Sequence, residues 1–182
     1  MDHAIACALF DTAIGTCGIA WTARGIRALQ LPARDAAATR ARLARLTPAA
    51  REAPLDAAGR DAATRISALL DGSRDDLLDI VLDLPGIADF ERRVYATTRR
   101  ILPGDTLTYG EVAQRIGEPG AARAVGRALG RNPVAILVPC HRVLASGGSP
   151  GGFSAPGGAL TKLRMLAIEG ARPGGQGTLF GA

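Results

Sequence analysis

The sequence predicts an α/β domain followed by a mostly helical domain in a chain of 182 residues. Three observations carry that expectation. Short apolar runs set off by turn residues crowd the stretch up to Leu31. Between Asp89 and Leu129 the apolar residues instead recur at helical spacing. Between these regions stands Pro85-Gly86, the clearest break in the chain. The expected division is 1–85, 86–170 and a Gly-rich tail, 171–182.

In chain order, His3 to Phe10 reads as a strand and Asp11 to Gly15 as a turn. Thr16 to Thr22 and Gly25 to Leu31 read as two further strands of a meander, tightly joined at Ala23-Arg24. Ala36 to Leu46, rich in Ala, Arg and Leu, is a helix by propensity. Ala57 to Asp71 is a second helix, ended by Gly72. In Leu77 to Leu84, Leu78, Ile80, Leu82 and Leu84 alternate against Asp79 and Asp83, which predicts a strand joining the same sheet.

Beyond Pro85, Asp89 to Ile101 reads as a helix with Phe90, Val94 and Ile101 inward and Arg92, Arg93, Arg99 and Arg100 outward. Tyr109 to Ile116 is a short helix, with Thr108 and Glu111 spaced as a capping box. A turn at Gly117 to Gly120 leads into a helix from Ala121 to Leu129, giving a helix-turn-helix pattern. That second helix offers Ala121, Ala122, Ala124 and Gly126, side chains too small to read bases but small enough for close backbone approach. Val134 to Val138 is too brief for an ordinary helix and reads as a buried extended segment, stopped by Pro139. Cys140 follows at once, with His141 and Arg142 beside it. Neighbouring His or Arg favours the thiolate, the nucleophilic form. The ordinary alternative is a structural buried cysteine.

The composition is 47% hydrophobic, enough for a core, and no apolar run is long enough for a membrane span. No secretion signal is evident at the N-terminus, and an odd number of cysteines points to a reducing cytoplasm. The net charge of +5 is uneven. Residues 1–85 hold 10 Arg against 11 Asp and Glu, a net of −1; residues 86–182 hold 12 Lys and Arg against 6 acids, a net of +6. The excess sits in the half that carries Cys140, as a polyanion-binding surface requires.

The pentapeptide Pro139-Cys140-His141-Arg142-Val143 resembles the acceptor motif of the O6-alkylguanine-DNA alkyltransferases. Further matches follow the family's order: Phe90 to Tyr95, Ile101 to Gly104, Thr108 to Glu111, Ala121 to Gly126, and Asn132-Pro133. The resemblance implies a ribonuclease-H-like N-terminal α/β domain and a helical C-terminal domain with a helix-turn-helix. It implies single-turnover transfer of the alkyl group of O6-alkylguanine, and of O4-alkylthymine, to Cys140. The damaged base is flipped out from the minor groove. By the same resemblance His141 deprotonates Cys140 through a water, Glu169 orients His141, and Tyr109 protonates the guanine N3. Arg123 takes the place of the extruded nucleotide on a helix surface formed by Ala121, Ala122, Ala124 and Gly126. Arg127 and Arg131 look like phosphate contacts. Asn132 is a hinge, and Val143, Phe153 and Ser154 frame the pocket. Each also has an ordinary reading: Glu169 a solvated helix end, Tyr109 a helix-start aromatic, Asn132 a C-cap.

Two departures stand out. Phe153 occupies a position where many members have tyrosine, and the loop Ser154 to Ala159 is longer than the family's commonest spacing. Some members hold a structural zinc in the N-terminal domain. Here Cys7, Cys17 and His3 offer no fourth ligand, so packing is expected rather than a metal, and no cofactor is implied. The alternative reading, a lesion-binding protein without transfer, belongs to relatives that replace the acceptor cysteine. In the tail, Gln176-Gly177-Thr178-Leu179-Phe180 resembles the peptide by which bacterial repair proteins dock on the sliding clamp. The expected assembly is a monomer on double-stranded DNA.

Overall fold

A computed structural model describes residues 4–171. Gln176, Leu179 and Phe180, and His3, lie outside the described residues. The meander forms as β1 (Ala6–Thr12), β2 (Gly15–Thr22) and β3 (Gly25–Gln30), antiparallel throughout. A short β4 (Arg51–Glu52) adds parallel to β1, giving the order β3-β2-β1-β4. Cys17, Ile19 and Trp21 point from β2 into the main core, while Ala20 meets Leu43 on the other face. Both faces of β2 are covered because helices flank the sheet. Helix α1 (Ala36–Leu46) packs on β2 and β3, and α2 (Ala57–Leu70) on β1 and β2. Their starts are set by Asp35 and Asp56, whose carboxylates each accept a backbone N–H at 2.7 Å.

The expected strand over Leu77 to Leu84 does not form. Only Leu82 bridges to Ile26, and Leu77 has a φ of 56°, outside extended geometry. The apparent alternation is overridden by ion pairs. Arg65 holds Asp75 and Asp79, and Asp83 is buried against Thr22, Arg24 and Arg27. Leu78 is left exposed instead. Arg99 also does not point freely outward. It donates to the carbonyls of Leu77, Leu78 and Ile80 at 2.9–3.0 Å and so fastens this segment to the helical half. Gly25 is required where the segment crosses, since its φ is 142° and a Cβ there would lie 2.5 Å from the Val81 carbonyl oxygen.

The helical half comprises α3 (Asp89–Arg99), α4 (Tyr109–Arg115), α5 (Ala122–Gly130) and α6 (Gly158–Ile168). The capping box at the start of α4 is present: Thr108 Oγ1 accepts from Glu111 N, and Glu111 accepts from Thr108 N. Tyr95 fastens α3 to α5 through its hydroxyl, which donates to the Ala128 carbonyl at 3.0 Å. One apolar cluster runs without a break from Ile19 and Ile66 to Val94, Val125, Val134 and Met165, across Pro85-Gly86. Among the described residues the fold is a mixed four-stranded sheet and a small two-stranded parallel one, with six α-helices.

The segment Val134 to Val138 is buried as expected, but it is not extended. Ile136 has a φ of 73°, and Val138 N donates back to Val134 O at 2.9 Å, so the run is a tight turn. Burial of its apolar side chains outweighs the β-branched preference for extended backbone. The turn delivers Pro139 into a single 3₁₀ turn, Cys140–Arg142, followed by β6 (Val143–Leu144), which pairs in parallel with β5 (Leu107–Thr108).

Candidate active site

Cys140 opens a short helical turn whose backbone is closed by Cys140 N to Val138 O and Arg142 N to Pro139 O, at 2.8 and 2.9 Å. It lines a cleft of about 970 Å3 with Tyr109, Arg123, Arg127 and Phe153. Burial pushes the Cys140 thiol above its ordinary pKa. A hydrogen bond from Asn132, the charge of Lys162 and backbone N–H groups pull the other way without reversing it. The resting acceptor is therefore a neutral thiol that needs a base.

His141 follows Cys140 directly in the chain. The ring is 1% exposed. Its Nε2 lies 2.9 Å from Glu169 Oε1, and its Nδ1 is buried with no hydrogen-bond partner. Burial lowers the His141 pKa below its ordinary value, against the raising influence of Glu169. Burial alone would raise the Glu169 carboxyl, but hydrogen bonds from His141 and Arg142 prevail and lower it to about 2. An ionised carboxylate only accepts, so His141 Nε2 carries the proton and Nδ1 is left as the free base.

Arg142 does something other than activate the thiol. It is fully buried and turned toward α6, donating from Nε and Nη2 to the two Glu169 oxygens at 2.9 and 2.7 Å. Its Nη1 reaches the Ile101 carbonyl at 2.6 Å. Sequence reasoning passed over Lys162. The side chain is buried in α6, and Nζ donates to the carbonyls of Val143 and Pro150, both at 2.6 Å. It lies 5.7 and 5.8 Å from the ring centres of Tyr109 and Phe153, and burial lowers its pKa to about 8. A signal was available: it is the only lysine in an arginine-rich chain, spaced with Met165, Leu166 and Glu169 along one helix face.

These features can be set beside known proteins. Residues 89–171 match the family described as 6-O-methylguanine DNA methyltransferase, DNA binding domain. A methylated-DNA–protein-cysteine methyltransferase of Mycolicibacterium paratuberculosis is 52% identical over 91 residues, covering 50% of this chain and 53% of that protein. The chain thus spans about half the length of that relative. The enzyme of the same name from Mycobacterium leprae is 42% identical over 116 residues, covering 64% of this chain and 68% of the relative. A crystal structure of Mycobacterium tuberculosis OGT in complex with DNA superposes with a TM-score of 0.74 at 33% identity, covering 91% of this chain and 92% of that one. The chain belongs to the O6-methylguanine-DNA methyltransferase family.

The fold brings most residues singled out in the sequence to one cleft. Tyr109, Ala122, Arg123, Gly126, Arg127, Cys140, Phe153 and Ser154 all line it. Tyr109 donates from its hydroxyl to the Gly152 carbonyl at 3.4 Å, and burial raises its pKa. Gly151, at a φ of 63°, lets the loop lie flat on that ring, where a Cβ would come within 3.3 Å of the ring edge. Asn132 donates to Val138 O at 2.8 Å and accepts from Val134 N at 3.0 Å, bracing the turn before Cys140. Val143 is fully buried and does not line the cleft, and Ala121 stands at the N-terminal end of α5 without a capping hydrogen bond. Ala124 is half-buried on α5. Arg123 and Arg127 are exposed. Arg131 is exposed too but paired with Glu91. Cys7 and Cys17 are not opposite one another on β1 and β2, and both are free thiols.

Glu169→Gln would leave the Arg142 guanidinium buried without a counter-charge, at a cost of about 3 kcal/mol. Urea unfolding at pH 7 should show that loss. The folded-state pKa of Glu169 is depressed, to about 2 from 4.5, so its contribution is complete above pH 4.5 and fades as pH falls toward 2. The gap between wild type and variant should therefore narrow in that window. A variant as stable as wild type at pH 7 would contradict the ion-pair account.

Proposed function

We propose that this chain repairs DNA directly, by irreversible transfer of the alkyl group of O6-alkylguanine, and of O4-alkylthymine, to Cys140, once per molecule. The observation that carries this reading is a neutral cysteine lining a cleft beside a buried histidine, one nitrogen held by Glu169 and the other unpartnered. His141 Nδ1 takes the thiol proton through a water, and the thiolate attacks the alkyl carbon in line. The C–O6 bond breaks, and guanine leaves with the electron pair. Protonation at N3 by Tyr109 makes that leaving group neutral.

The target atom is unreachable in stacked DNA, so the base is flipped into the cleft. Helices α4 and α5 act as the helix-turn-helix, with the small face of α5 set in the minor groove and Arg123 filling the gap in the stack. Arg127 contacts phosphate. Arg131 does so after exchanging Glu91 for the backbone of DNA. Asn132 couples this unit to the acceptor turn, while Val143, Phe153 and Ser154 frame the base. Residues 86–170 would carry both binding and chemistry. Residues 1–85, a ribonuclease-H-like α/β unit, would buttress them. The protein would work as a cytoplasmic monomer; among the described residues no helix is long and apolar enough to cross a membrane. A lesion-binding role without transfer is disfavoured because Cys140 is present.

Incubation with DNA containing O6-methylguanine should add one methyl group to the peptide bearing Cys140, then stop. Cys140→Ser should bind the same DNA and gain no mass, because a hydroxyl is a far weaker nucleophile. Repeated turnover, or methylation of the serine variant, would contradict the assignment.

The tail motif Gln176-Gly177-Thr178-Leu179-Phe180 supports a second partner, the bacterial sliding clamp. Leu179 and Phe180 would enter an apolar pocket and Gln176 would bond at its rim, tethering the repair domain near DNA. A peptide of residues 171–182 should bind the clamp with micromolar affinity, and substitution of Leu179 and Phe180 by Ala should abolish binding. Equal binding by the substituted peptide would remove the idea.

A further inference from the structure

Cys140 faces a second, smaller cavity of about 210 Å3, on the side of the N-terminal sheet. Leu129, Ala135, Asn132 and Phe153 line it with Cys140, and Arg42 of α1 closes one side. Cys140 and Phe153 thus border both spaces. The geometry of an in-line displacement gives such a space a use. The leaving oxygen, the attacked carbon and the sulfur lie on one line, so whatever else the carbon bears projects sideways from the sulfur. A methyl group has nothing to place there. A longer alkyl group does, and the volume suits several non-hydrogen atoms, given about 30 Å3 for one water in the liquid.

The cavity also has a charge preference. Arg42 Nε is shut off from solvent with no hydrogen-bond partner, and Nη2 makes only a 3.5 Å contact with the Ser154 carbonyl. The second arginine there, Arg131, is already paired with Glu91. Of the two, Arg42 is the one that makes no ion pair among the described residues. A guanidinium with a free donor selects a carboxylate over a neutral group of the same size.

We propose that this cavity receives O6-alkyl groups ending in an anion, carboxymethyl being the smallest, and that Arg42 is the residue that selects them. The inference rests on the alkyl-transfer reading above and extends its substrate range. The step balances as for methyl. The Cys140 sulfur bonds the methylene carbon, the C–O6 bond breaks, and guanine keeps the electron pair and takes up one proton. The thiol proton leaves through His141. The product is S-carboxymethylcysteine, with its carboxylate on Arg42.

The test compares transfer rates from DNA carrying O6-methylguanine, O6-propylguanine or O6-carboxymethylguanine, read by mass at the Cys140 peptide. Arg42→Gln should slow carboxymethyl transfer by about tenfold or more while leaving methyl and propyl transfer within about twofold. Arg42→Glu should slow it further, and Arg42→Lys should restore part of the rate. Equal slowing on all three substrates would make Arg42 a residue of folding or DNA contact. No slowing on the carboxymethyl substrate would also overturn the proposal. A wild-type protein that gains no mass even from methylated DNA would remove the underlying reading and this inference with it.

Discussion

A single buried carboxylate, Glu169, organises the site. It stands at the C-terminal end of α6, where the helix dipole disfavours negative charge. Local preference therefore does not explain it. Two donors do: the Arg142 fork on both oxygens and the His141 ring on one. Because Arg142 also reaches the Ile101 carbonyl, the carboxylate joins α6, the acceptor turn and the exit of α3 in one buried network. Such a network is costly to leave half-made, which gives it a unique geometry. The position of Cys140 follows from that geometry, since only one residue separates it from Arg142.

The same network divides the labour of activation. Arg142 is spent on Glu169 and lends no charge to the thiol. The His141 nitrogen left without a partner is Nδ1, and Asn132 and Lys162 both ease ionisation of Cys140. Lys162 has a second consequence. By bonding Val143 and Pro150 it pins these two stretches of backbone to α6, and it lies near the rings of Tyr109 and Phe153 that line the cleft.

Local signals were readable in the sequence, and tertiary ones were not. The starts of α1, α2 and α4 coincide with their capping residues because capping is local chemistry between near neighbours. The run Leu77 to Leu84 misled because its aspartates are held by arginines from elsewhere in the chain, which no periodicity can reveal. Val134 to Val138 misled because a positive φ at Ile136 is enforced by burial rather than residue type. The resemblance pointed to Cys140, His141 and Glu169, but it left Glu169 open to an ordinary surface reading. The 2.9 Å contact with His141 and the grip of Arg142 are visible only in three dimensions.

The central claim is that Glu169 fixes His141 as a neutral ring with its proton on Nε2, leaving Nδ1 as the base for Cys140. The ring nitrogens can be observed directly. The chain has two histidines, so a His3→Gln variant labelled with 15N-histidine reports His141 alone. At pH 7 the account predicts a protonated Nε2 and an unprotonated Nδ1. A proton on Nδ1, or a fully protonated imidazolium at that pH, would contradict it.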